Sequence, residues 1–285
     1  MSNKHNDYIY SRLKDMDCFH KTSVNYSTGF HPPYHRHDEY EIYLFIKGNS
    51  TLYIEDNCHR LSPNDMVMIY PGTFHRNIVT ETSSYERIVI SIPEEIIGAL
   101  SSGQTSLDEC FHTATNEISK IIHITPYGLT RFMGIADNFL TALKSNEYGS
   151  DLMSVYFFTE LLIYINNLFQ NSEIKNYDNI MPPLVIDAMK YIEDNLTDEL
   201  TLDRLGMAVN YSTNYLRVQF KRHTGLSLRE YILDKRIECA KKLLMDGKNV
   251  SDACLMSGFN DYSNFIRSFK KKTGISPGHY AKSFS

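Results

Sequence analysis

The sequence predicts a two-domain α+β protein, in which a small antiparallel β-barrel or sandwich with attached helices precedes an all-helical domain. Short apolar runs between polar turns fill the first hundred residues, as in small all-β domains. Helical spacing of apolar residues replaces this pattern from residue 107 onward. Near the C-terminus, one helix ending is written twice, 49 residues apart, as FKRHTGLSLREY and FKKKTGISPGHY.

The composition is that of an ordinary globular protein. Its 285 residues suffice for about two domains, and 42% apolar with 22% charged residues is usual for such chains. The longest apolar stretch, 152–169, is interrupted by polar side chains, the N-terminus lacks the apolar core of a signal peptide, and the five cysteines form no CxxC pair. We therefore expect a cytoplasmic protein with reduced thiols and no membrane partner.

The net charge of −5 is unevenly distributed along the chain. Residues 182–285 carry 16 basic and 12 acidic side chains, whereas residues 1–181 carry 13 and 22. A basic C-terminal part on an acidic protein predicts a polyanionic partner for that part alone, although charge by itself also fits an ordinary solvated surface.

The first domain is assigned to residues 1–106. Strands are predicted at 40–47, 51–55, 66–70 and 85–92. The turn signals between them are KGNS, SPND and the pair Pro71-Gly72. Close spacing with polar turns predicts an antiparallel sheet that closes on itself.

A helical packing or dimerisation segment is assigned to residues 107–170. Its helices are predicted at 107–124, 129–143 and 151–169, without further strands. The segment 171–183 is polar, loses the apolar period and ends in a proline pair, so we assign it as a linker.

The second domain, 184–285, is predicted to be helical throughout. Its helices are expected at 184–195, 202–209, 213–223, 228–245, 251–257 and 262–272. Ser212 is the expected N-cap of the third helix, and Gly258 the expected stop of the fifth.

The repeated ending belongs to two helix-turn-helix units, at 202–223 and 250–272. The second helix of each unit carries an apolar pair four residues apart, expected to face inward. These pairs are Leu216 with Phe220, and Phe265 with Phe269. Ala253 and Met256 are expected to face inward in the second unit. In each ending, the glycine of the Thr-Gly pair is expected to end the helix in a left-handed conformation. The lysine directly after the phenylalanine of each ending is expected to point to solvent.

Residues 184–283 resemble the DNA-binding domain of AraC/XylS-type transcription regulators, through TGLSLREYILDKRIECAKKLL (224–244) and GFNDYSNFIRSFKKKTGISPGHY (258–280). The resemblance implies a regulator, more often an activator, that also contacts RNA polymerase. It implies two recognition helices, joined by a linker helix, that enter successive major-groove segments of double-stranded DNA.

Outward positions on the two recognition helices supply the candidate DNA-binding residues. These are Ser212, Thr213, Asn214, Arg217, Val218, Lys221, Tyr262, Ser263, Ile266, Arg267, Lys270 and Lys271. Arg217 and Arg267 are expected to read base edges, since arginine bonds guanine bidentately, and Asn214 suits adenine. The lysines and Ser212 are expected to touch phosphate, which positions the protein without specifying sequence.

The first unit departs from the family pattern. A basic residue is usual where Val218 stands, and an apolar one where Gln219 stands. Arg217 is therefore expected to read from one position earlier. The second unit fits the pattern, apart from Ala281, where the family often has arginine.

The stretch GFHPPYHRHDEYEIYLFIKG, with spacing G-x5-H-x-H-x3-E-x6-G from Gly29, resembles the first motif of cupin barrels. The second motif is partial, since Gly72 and His75 are present but Val79 stands at the usual asparagine position. On a strand, residues 35, 37 and 41 would point to one face, which predicts a polar cluster inside a cupin-like barrel.

Three roles remain open for this cluster. The first is an effector pocket formed by His35, His37, Glu41, Tyr43 and His75, for which an aromatic wall favours a saccharide. The second is a metal site formed by His35, His37, Glu41 and His75, a donor set that suits Zn, Mn, Fe or Ni. The third is a structural role in the barrel, with Tyr43 and Phe45 filling the lumen. We expect a small-molecule effector and no bound metal or cofactor.

The helix at 151–169 has a broad apolar stripe, and by resemblance such helices pair two sensor domains as a homodimer. The stripe consists of Leu152, Val155, Tyr156, Thr159, Leu162, Ile163, Asn166 and Phe169. Packing within one chain is the alternative for most of these residues.

The leading interpretation is a sequence-specific DNA-binding transcription regulator and not an enzyme. One rival is a metal-dependent cupin oxygenase or isomerase, which leaves residues 184–285 without a role. Another is a basic protein-interaction module, which predicts no preference among DNA sequences.

Overall fold

The computed structural model describes residues 2–16, 18–23, 34–112, 119–172 and 178–283. They form two compact units, Met1–Asn179 and Ile180–Ser285. Gly29 of the N-terminal motif and residues 173–177 of the predicted linker lie outside the described residues.

Unit 1 contains a β-sheet and the helices that cover it. The helices are α1 (Ser2–Asp15), α2 (Glu94–Leu100), α3 (Pro126–Lys144) and α4 (Ser150–Asn171). The strands are β1 (Cys18–Ser23), β2 (Tyr40–Ile54), β3 (Asn57–Leu61), β4 (Asp65–Ile69), β5 (His75–Ile92) and β6 (Ser119–His123).

The strands of the described residues form one antiparallel sheet in the order β1-β5-β2-β4-β6, with β3 paired to the second half of β2. The long strands β2 and β5 pair along most of their length, with register shifts between Phe45 and Ser50. Because bulges bend a strand, the sheet curls into a half-barrel. This curled sheet, followed by helices and then by a helical unit, confirms the predicted fold class.

The predicted turn at KGNS is wrong, because β2 runs through it as a single strand. Gly48 has a φ of +118°, and a Cβ there would lie 2.9 Å from the carbonyl oxygen of Ser84 on the paired strand. A glycine at such a position typically marks a bulge or a close backbone approach. The polar residues KGNS therefore bend the strand without reversing it.

The first half of β2 is buried on both faces. Ile42 and Leu44 belong to a core shared with helices α1 to α4, whereas Tyr43 and Phe45 belong to a second core inside the curl. Because successive side chains of a strand point to opposite faces, a strand between two apolar layers has a continuous apolar run. The segment EIYLFI has this composition.

The predicted helix at 107–124 is also wrong. Residues 107–112 form turns, residues 113–118 lie outside the described residues, and β6 pairs with β4. A short apolar segment fits either a helix or a strand by spacing alone. The β-branched pair Ile121-Ile122 in SKIIH favours the strand, and Ile122 fits the core beneath the helices.

Helix α4 is long and apolar enough to cross a membrane, judged by length and composition alone. Phe158, Leu161, Leu162 and Ile165 of this helix are fully buried in the core shared with the sheet. Burial of this face accounts for part of the apolar character of α4.

Unit 2 is helical throughout. Its helices are α5 (Pro183–Asp194), α6 (Leu202–Ala208), α7 (Thr213–Thr224), α8 (Leu228–Met245), α9 (Val250–Met256), α10 (Tyr262–Thr273) and α11 (Pro277–Lys282). The Ser212 side chain accepts a hydrogen bond from the Tyr215 N–H, which confirms the predicted N-cap of α7. Helix α11 is an addition to the predicted elements.

Met256 was expected to face inward, and this is wrong, since it is 47% exposed. The buried residues of this segment are Ala253, Cys254 and Ser257. They follow the spacing i, i+1, i+4, which places Met256 beyond the edge of the buried face.

One contact region joins the two helix-turn-helix units. Arg236 of α8 donates to the carbonyl oxygens of Leu196 and Asp198, at 3.0 and 2.8 Å, in the loop before α6. Gly258, in the turn before α10, has a φ of +84°, and a Cβ there would collide with the Leu196 carbonyl oxygen. The linker helix and the turn before α10 therefore both contact the loop before α6, and we call this contact region the Gly258 joint.

Candidate functional site

Helices α7 and α10, the recognition helices, each bury one side and expose the other. Leu216 and Phe220 of α7 are fully buried, as are Phe265 and Phe269 of α10. This confirms the predicted inward pairs. The opposite faces are rich in basic and polar side chains.

The predicted DNA-binding residues are solvent-accessible. The exposed ones are Ser212, Asn214, Arg217, Val218, Lys221, Tyr262, Ser263, Arg267, Lys270 and Lys271. Thr213 and Ile266 are half-buried. Thr213 also donates from Oγ1 to the Asp203 carboxylate at 3.2 Å, which ties the start of α7 to α6. Ser212 combines exposure with its role as the N-cap.

The structure accounts for the repeated helix ending, beginning with its aromatic residues. Phe220 packs edge-on against Tyr231 with ring centroids 5.3 Å apart, and Phe269 packs edge-on against Tyr280 at 5.5 Å. Edge-to-face pairs at such distances stabilise beyond their buried area. Each tyrosine thus fixes the helix after the ending to its recognition helix.

The repeated threonines close their helices in the same way. Thr224 Oγ1 donates to the Phe220 carbonyl oxygen at 2.7 Å, and Thr273 Oγ1 donates to that of Phe269 at 2.9 Å. The glycines that follow have φ values of +76° and +81°, the left-handed conformation of a helix end.

The repeated serines are the N-caps of the next helices, Ser227 for α8 and Ser276 for α11. Lys221 and Lys270, in contrast, are exposed. Five of the six matching residues in the repeat therefore maintain the fold, and the lysine alone points to solvent. The prediction gave structural roles to phenylalanine and glycine but missed threonine, serine and tyrosine.

A groove runs between α7 and the N-terminus of α8. Asn214, Arg217 and Lys221 line one side, and Ser227 and Arg229 line the other. Helix N-termini attract anions through unpaired N–H groups and the helix dipole. Arg229 is exposed and was missed by the sequence analysis, although a basic residue two positions after an N-cap serine was a usable signal.

A second candidate site lies in unit 1, where two histidines meet one carboxylate. His37 Nε2 lies 2.9 Å from Glu41 Oε2, and His75 Nε2 lies 3.7 Å from the same oxygen. Glu41 and His75 are buried, and His37 is half-buried. The structure therefore brings three of the predicted residues together.

The other ring nitrogens of these histidines face the backbone. His37 Nδ1 lies 3.0 Å from the Glu39 carbonyl oxygen, and His75 Nδ1 lies 3.0 Å from that of Thr73. Burial disfavours ionised Glu41, but bonds from His37 and His75 hold the pKa of its carboxyl well below the usual value. Burial likewise opposes a charged His37, yet its contact with Glu41 raises the pKa of the imidazole overall.

His35 and Tyr43 occupy different surroundings from this group. The expectation that His35, His37 and Glu41 share one strand is wrong, because β2 begins at Tyr40 and residues 36–39 are irregular. His35 pairs by backbone with His75, their rings lie 4.4 Å apart, and the His35 side chain is exposed. It does not belong to the group whose ligand atoms converge.

Tyr43 shares the inner face of β2 with Glu41, but it lies within the second core. Its hydroxyl is 2.6 Å from that of Tyr85 and accepts a hydrogen bond from Asn77. Phe45 is fully buried in the same cluster. These contacts are those of lumen-filling side chains, one of the roles left open by the sequence.

Two family models match the chain. Residues 22–153 match the AraC-like ligand binding domain, and residues 205–283 match a helix-turn-helix domain. The two matches cover one segment in each unit.

Curated relatives are transcription regulators. The HTH-type transcriptional activator AarP of Providencia stuartii is 32% identical over 107 residues, which cover 37% of this chain and 79% of AarP. An uncharacterized HTH-type transcriptional regulator of Pseudoalteromonas carrageenovora is 36% identical over 102 residues, 36% of this chain, and the chain spans 61% of its length. The probable transcriptional regulator LumQ of Photobacterium leiognathi is 25% identical over 256 residues, with 87% of this chain and 91% of LumQ covered.

Proposed function

This chain belongs to the AraC/XylS family of transcription regulators, and from that premise we propose that it activates transcription at a specific double-stranded DNA sequence under the control of a small-molecule effector. The observation that carries the proposal is the pair of recognition helices α7 and α10. Each of these helices buries an equivalent apolar pair in unit 2 and exposes an arginine and a lysine.

The Gly258 joint supports recognition by both helices together. The loop before α6 is held by hydrogen bonds from the Arg236 side chain of α8 and by close backbone packing of Gly258, and both helix-turn-helix units lie in one compact unit. A protein with this construction can present two helices to neighbouring major-groove segments, since successive segments on one face are about 34 Å apart.

We assign the reading of base edges to Arg217 and Arg267, with Asn214 suited to adenine. Lys221, Lys270, Lys271 and the other exposed polar residues of the recognition helices contact phosphates in this proposal. The groove beside α8 adds Arg229 as a further phosphate contact.

Selection of binding sites from random duplex DNA tests the proposal. We expect enrichment of a two-part site whose affinity falls steeply with salt, because several phosphates are neutralised. A lysine in unit 1, Lys144, provides a control, because Lys144→Ala removes one positive charge outside the recognition helices. No enriched sequence together with a flat salt response would contradict the proposal and favour a protein-interaction module.

For the effector we propose a saccharide in unit 1, bound by hydrogen bonds to His35, His37, Glu41 and His75. This polar group inside a ligand-binding domain of the family supports the proposal. Tyr43, predicted as the aromatic face of the pocket, fills the second core and is left out of this assignment. A thermal-shift screen across sugars and non-sugar controls tests it, and stabilisation by non-sugars alone would reject the saccharide.

The exposed face of α4 supports a homodimer. The predicted stripe divides, because Leu162, Asn166 and Phe169 are buried, whereas Leu152, Tyr156 and Ile163 are 54%, 57% and 44% exposed. Exposed apolar patches on soluble proteins often mark association surfaces. Tyr156→Asp should shift the sedimenting species from dimer to monomer, with Tyr127→Asp, on α3, as the control for an exposed tyrosine.

We further propose contact with RNA polymerase and a cytoplasmic location, both in line with the activator named among the relatives. In vitro transcription from a selected site, with and without the effector, tests the direction of control. A metal-dependent enzyme is not the function we propose, since it leaves both recognition helices unused.

A further inference from the structure

Helix α7 exposes apolar side chains beside its basic ones. Tyr211, Tyr215 and Val218 are 49%, 48% and 56% exposed. Tyr215 and Val218 lie three positions apart on α7, so their side chains are neighbours on the helix surface. Tyr211 stacks on Tyr215, with ring centroids 5.7 Å apart and 29° between the ring planes. We call these three residues the apolar strip.

The equivalent positions of α10 are polar. The N-caps Ser212 and Asp261 align the two recognition helices at an offset of 49 residues. At this offset, three exposed residues of α10 occupy the positions of the apolar strip. They are Asn260, Asn264 and Arg267. The two helices therefore share their buried pairs but differ in chemistry at the same exposed positions.

The apolar strip lies among residues that we propose contact DNA. Val218 lines the groove beside α8 together with Asn214 and Lys221. Arg222 lies four positions after Val218 and is exposed, so basic side chains flank the strip along the helix. Basic side chains neutralise phosphates when a protein binds DNA. Contacts of these side chains with phosphates would hold the apolar strip against the base edges of the groove.

The chemistry of Val218 limits what it can recognise. Its side chain has no donor or acceptor, whereas base edges in the major groove present donors, acceptors and one prominent apolar group, the C5-methyl of thymine. Removing a methyl group and an apolar side chain from water together favours binding by about fourfold for each methyl covered. Asn214, which suits adenine, fits the other base of the same A·T pair. Both side chains thus favour A·T pairs.

We propose that Val218 and Tyr215, with Tyr211 stacked on the latter, read thymine C5-methyl groups in the major groove. The half of the DNA site bound by α7 is therefore rich in A·T pairs and is recognised largely through apolar contacts. The half bound by α10 is recognised largely through hydrogen bonds from Arg267 and Asn264, because these residues replace the strip there. The proposal rests on the DNA recognition proposed above and extends it to the chemistry of the bases.

Deoxyuridine tests the proposal, because it differs from thymidine only by the absence of the C5-methyl group. Selection from random duplex DNA first supplies a site, and loss of base preference in Arg267→Ala identifies the half bound by α10. The full chain is then titrated with this site and with versions in which uracil replaces thymine in one half or the other. Uracil in the half bound by α7 should weaken binding by about fourfold for each methyl contacted. Uracil in the other half should weaken it less.

Variants at position 218 connect this effect to the apolar strip, and the exposure of Val218 lets them be made without disturbing the core. Val218→Ala should weaken binding to the thymine site but not to the uracil site, because the contact is already lost there. Val218→Ile should keep the sensitivity to uracil. Val218→Arg should lose this sensitivity and select guanine in place of thymine. Independent, additive losses from Val218→Ala and from uracil would contradict a direct contact.

Leu255→Ala is the matched control. Leu255 is an exposed apolar residue of unit 2, but it lies on α9, outside both recognition helices. This variant should bind the thymine and uracil sites as the wild type does. Loss of the sensitivity to uracil in Leu255→Ala would contradict its assignment to the apolar strip.

The outcomes separate this proposal from the function on which it rests. If the selection yields no preferred sequence, the proposed function fails, and the methyl contact fails with it. A selected site that binds equally well with thymine and with uracil overturns the methyl contact and leaves DNA recognition intact. If Tyr215→Asp also converts a sedimenting dimer to a monomer in that case, a second copy of the chain covers the apolar strip.

Discussion

Phe220 of α7 and Phe269 of α10 occupy equivalent buried positions, each packed edge-on against a tyrosine, but the exposed faces of the two recognition helices differ. Helix α10 ends in three lysines, at 270–272, whereas α7 begins beside a stacked exposed pair, Tyr211 and Tyr215, 5.7 Å apart. The repeat thus preserves the buried residues of the two helices, whereas the exposed positions, which we propose contact DNA, differ. We expect the two halves of the recognised site to differ in sequence.

The turns of the two units also differ. The first turn places Asn210 at a φ of +58°, and the second places Gly258 at +84°. Asparagine tolerates this conformation, but only glycine allows the close approach of Gly258 to the loop before α6. The second turn is therefore a junction as well as a turn.

The largest effect is expected for Gly258→Ala. The added Cβ collides with backbone atoms, and alanine is strained in the left-handed conformation of this position. Unit 2 should therefore lose about 3 kcal/mol or more of unfolding free energy. Gly274→Ala is the control, because its φ is +81° but a Cβ there meets no atom within 4 Å. It should cost about 1–2 kcal/mol. Hydrogen exchange measures both, and equal losses would show that the junction adds nothing.

The next effect concerns the two arginines. Arg217→Ala and Arg267→Ala should each relax base preference at a different half of the site, by about 1–3 kcal/mol of discrimination. Binding of each variant to a randomised site library measures this. Lys190→Ala, on the exposed side of α5, removes the same charge and should leave preferences intact. If both variants lost base preference at the same position of the site, this would contradict the proposal that each helix reads a different half.

A smaller effect separates the two threonines. Thr224→Val removes a buried hydroxyl that donates to the Phe220 carbonyl oxygen and accepts from the Leu226 N–H, and it should cost about 1–2 kcal/mol of unfolding free energy. Thr273→Val removes the equivalent bond where Thr273 is only half-buried, so water replaces part of it and the cost should be lower. Chemical denaturation of the matched pair checks the order. The reverse order would mean that the endings are not equivalent.

Lys270→Ala should have a still smaller effect, spread evenly over all sequences. Loss of one phosphate contact lowers the slope of log affinity against log salt by about 1. Affinity at several salt concentrations measures this slope, with Lys282→Ala as an exposed control beyond α10. An altered base preference would show that Lys270 reads sequence.

The smallest effect is a pH dependence found in one ending only. Hydrogen bonds from Ser227 lower the pKa of Glu230, which completes a capping box at α8, whereas Ser276 of α11 has His279 at that place. Glu230 stabilises α8 above the ordinary glutamate pKa of about 4.3, and this contribution disappears as pH falls through the lowered folded-state pKa. Glu230→Gln should flatten the dependence of unfolding free energy on pH between 3 and 5, and an unchanged slope would exclude the capping box as its source.

The helical unit was largely predictable because its signals are local. Ser212 caps α7 next to it in sequence, and Phe220 packs on Tyr231 only eleven residues away. Such interactions repeat wherever the same ending is written. The inward face of α9 was misjudged because a helix of seven residues has too few turns to define its face.

Unit 1 was less predictable because its contacts are distant in sequence. Strand β6 pairs with β4, whose residues lie 50 to 58 positions earlier in the chain, and nothing local in SKIIH excludes a helix. His35, His37 and Glu41 were predicted to share one face from their spacing on a strand, but an irregular segment brings His37 to Glu41 and leaves His35 exposed. Tyr43 was placed on the correct face, yet its hydroxyl network depends on Tyr85 and Asn77.

The absence of a side chain at Gly258 has a consequence for the spacing between the two halves of a DNA site that this protein can bind. One inserted base pair turns the far half of a recognised site by about 35° around the DNA axis, since a helical turn holds about 10–10.5 base pairs. A flexible connection between the two recognition helices would let the protein follow that rotation. The close backbone contact between Gly258 and Leu196 does not allow this adjustment. Its binding sites across a genome should therefore have one fixed spacing between their two halves, even where the base sequence within each half varies.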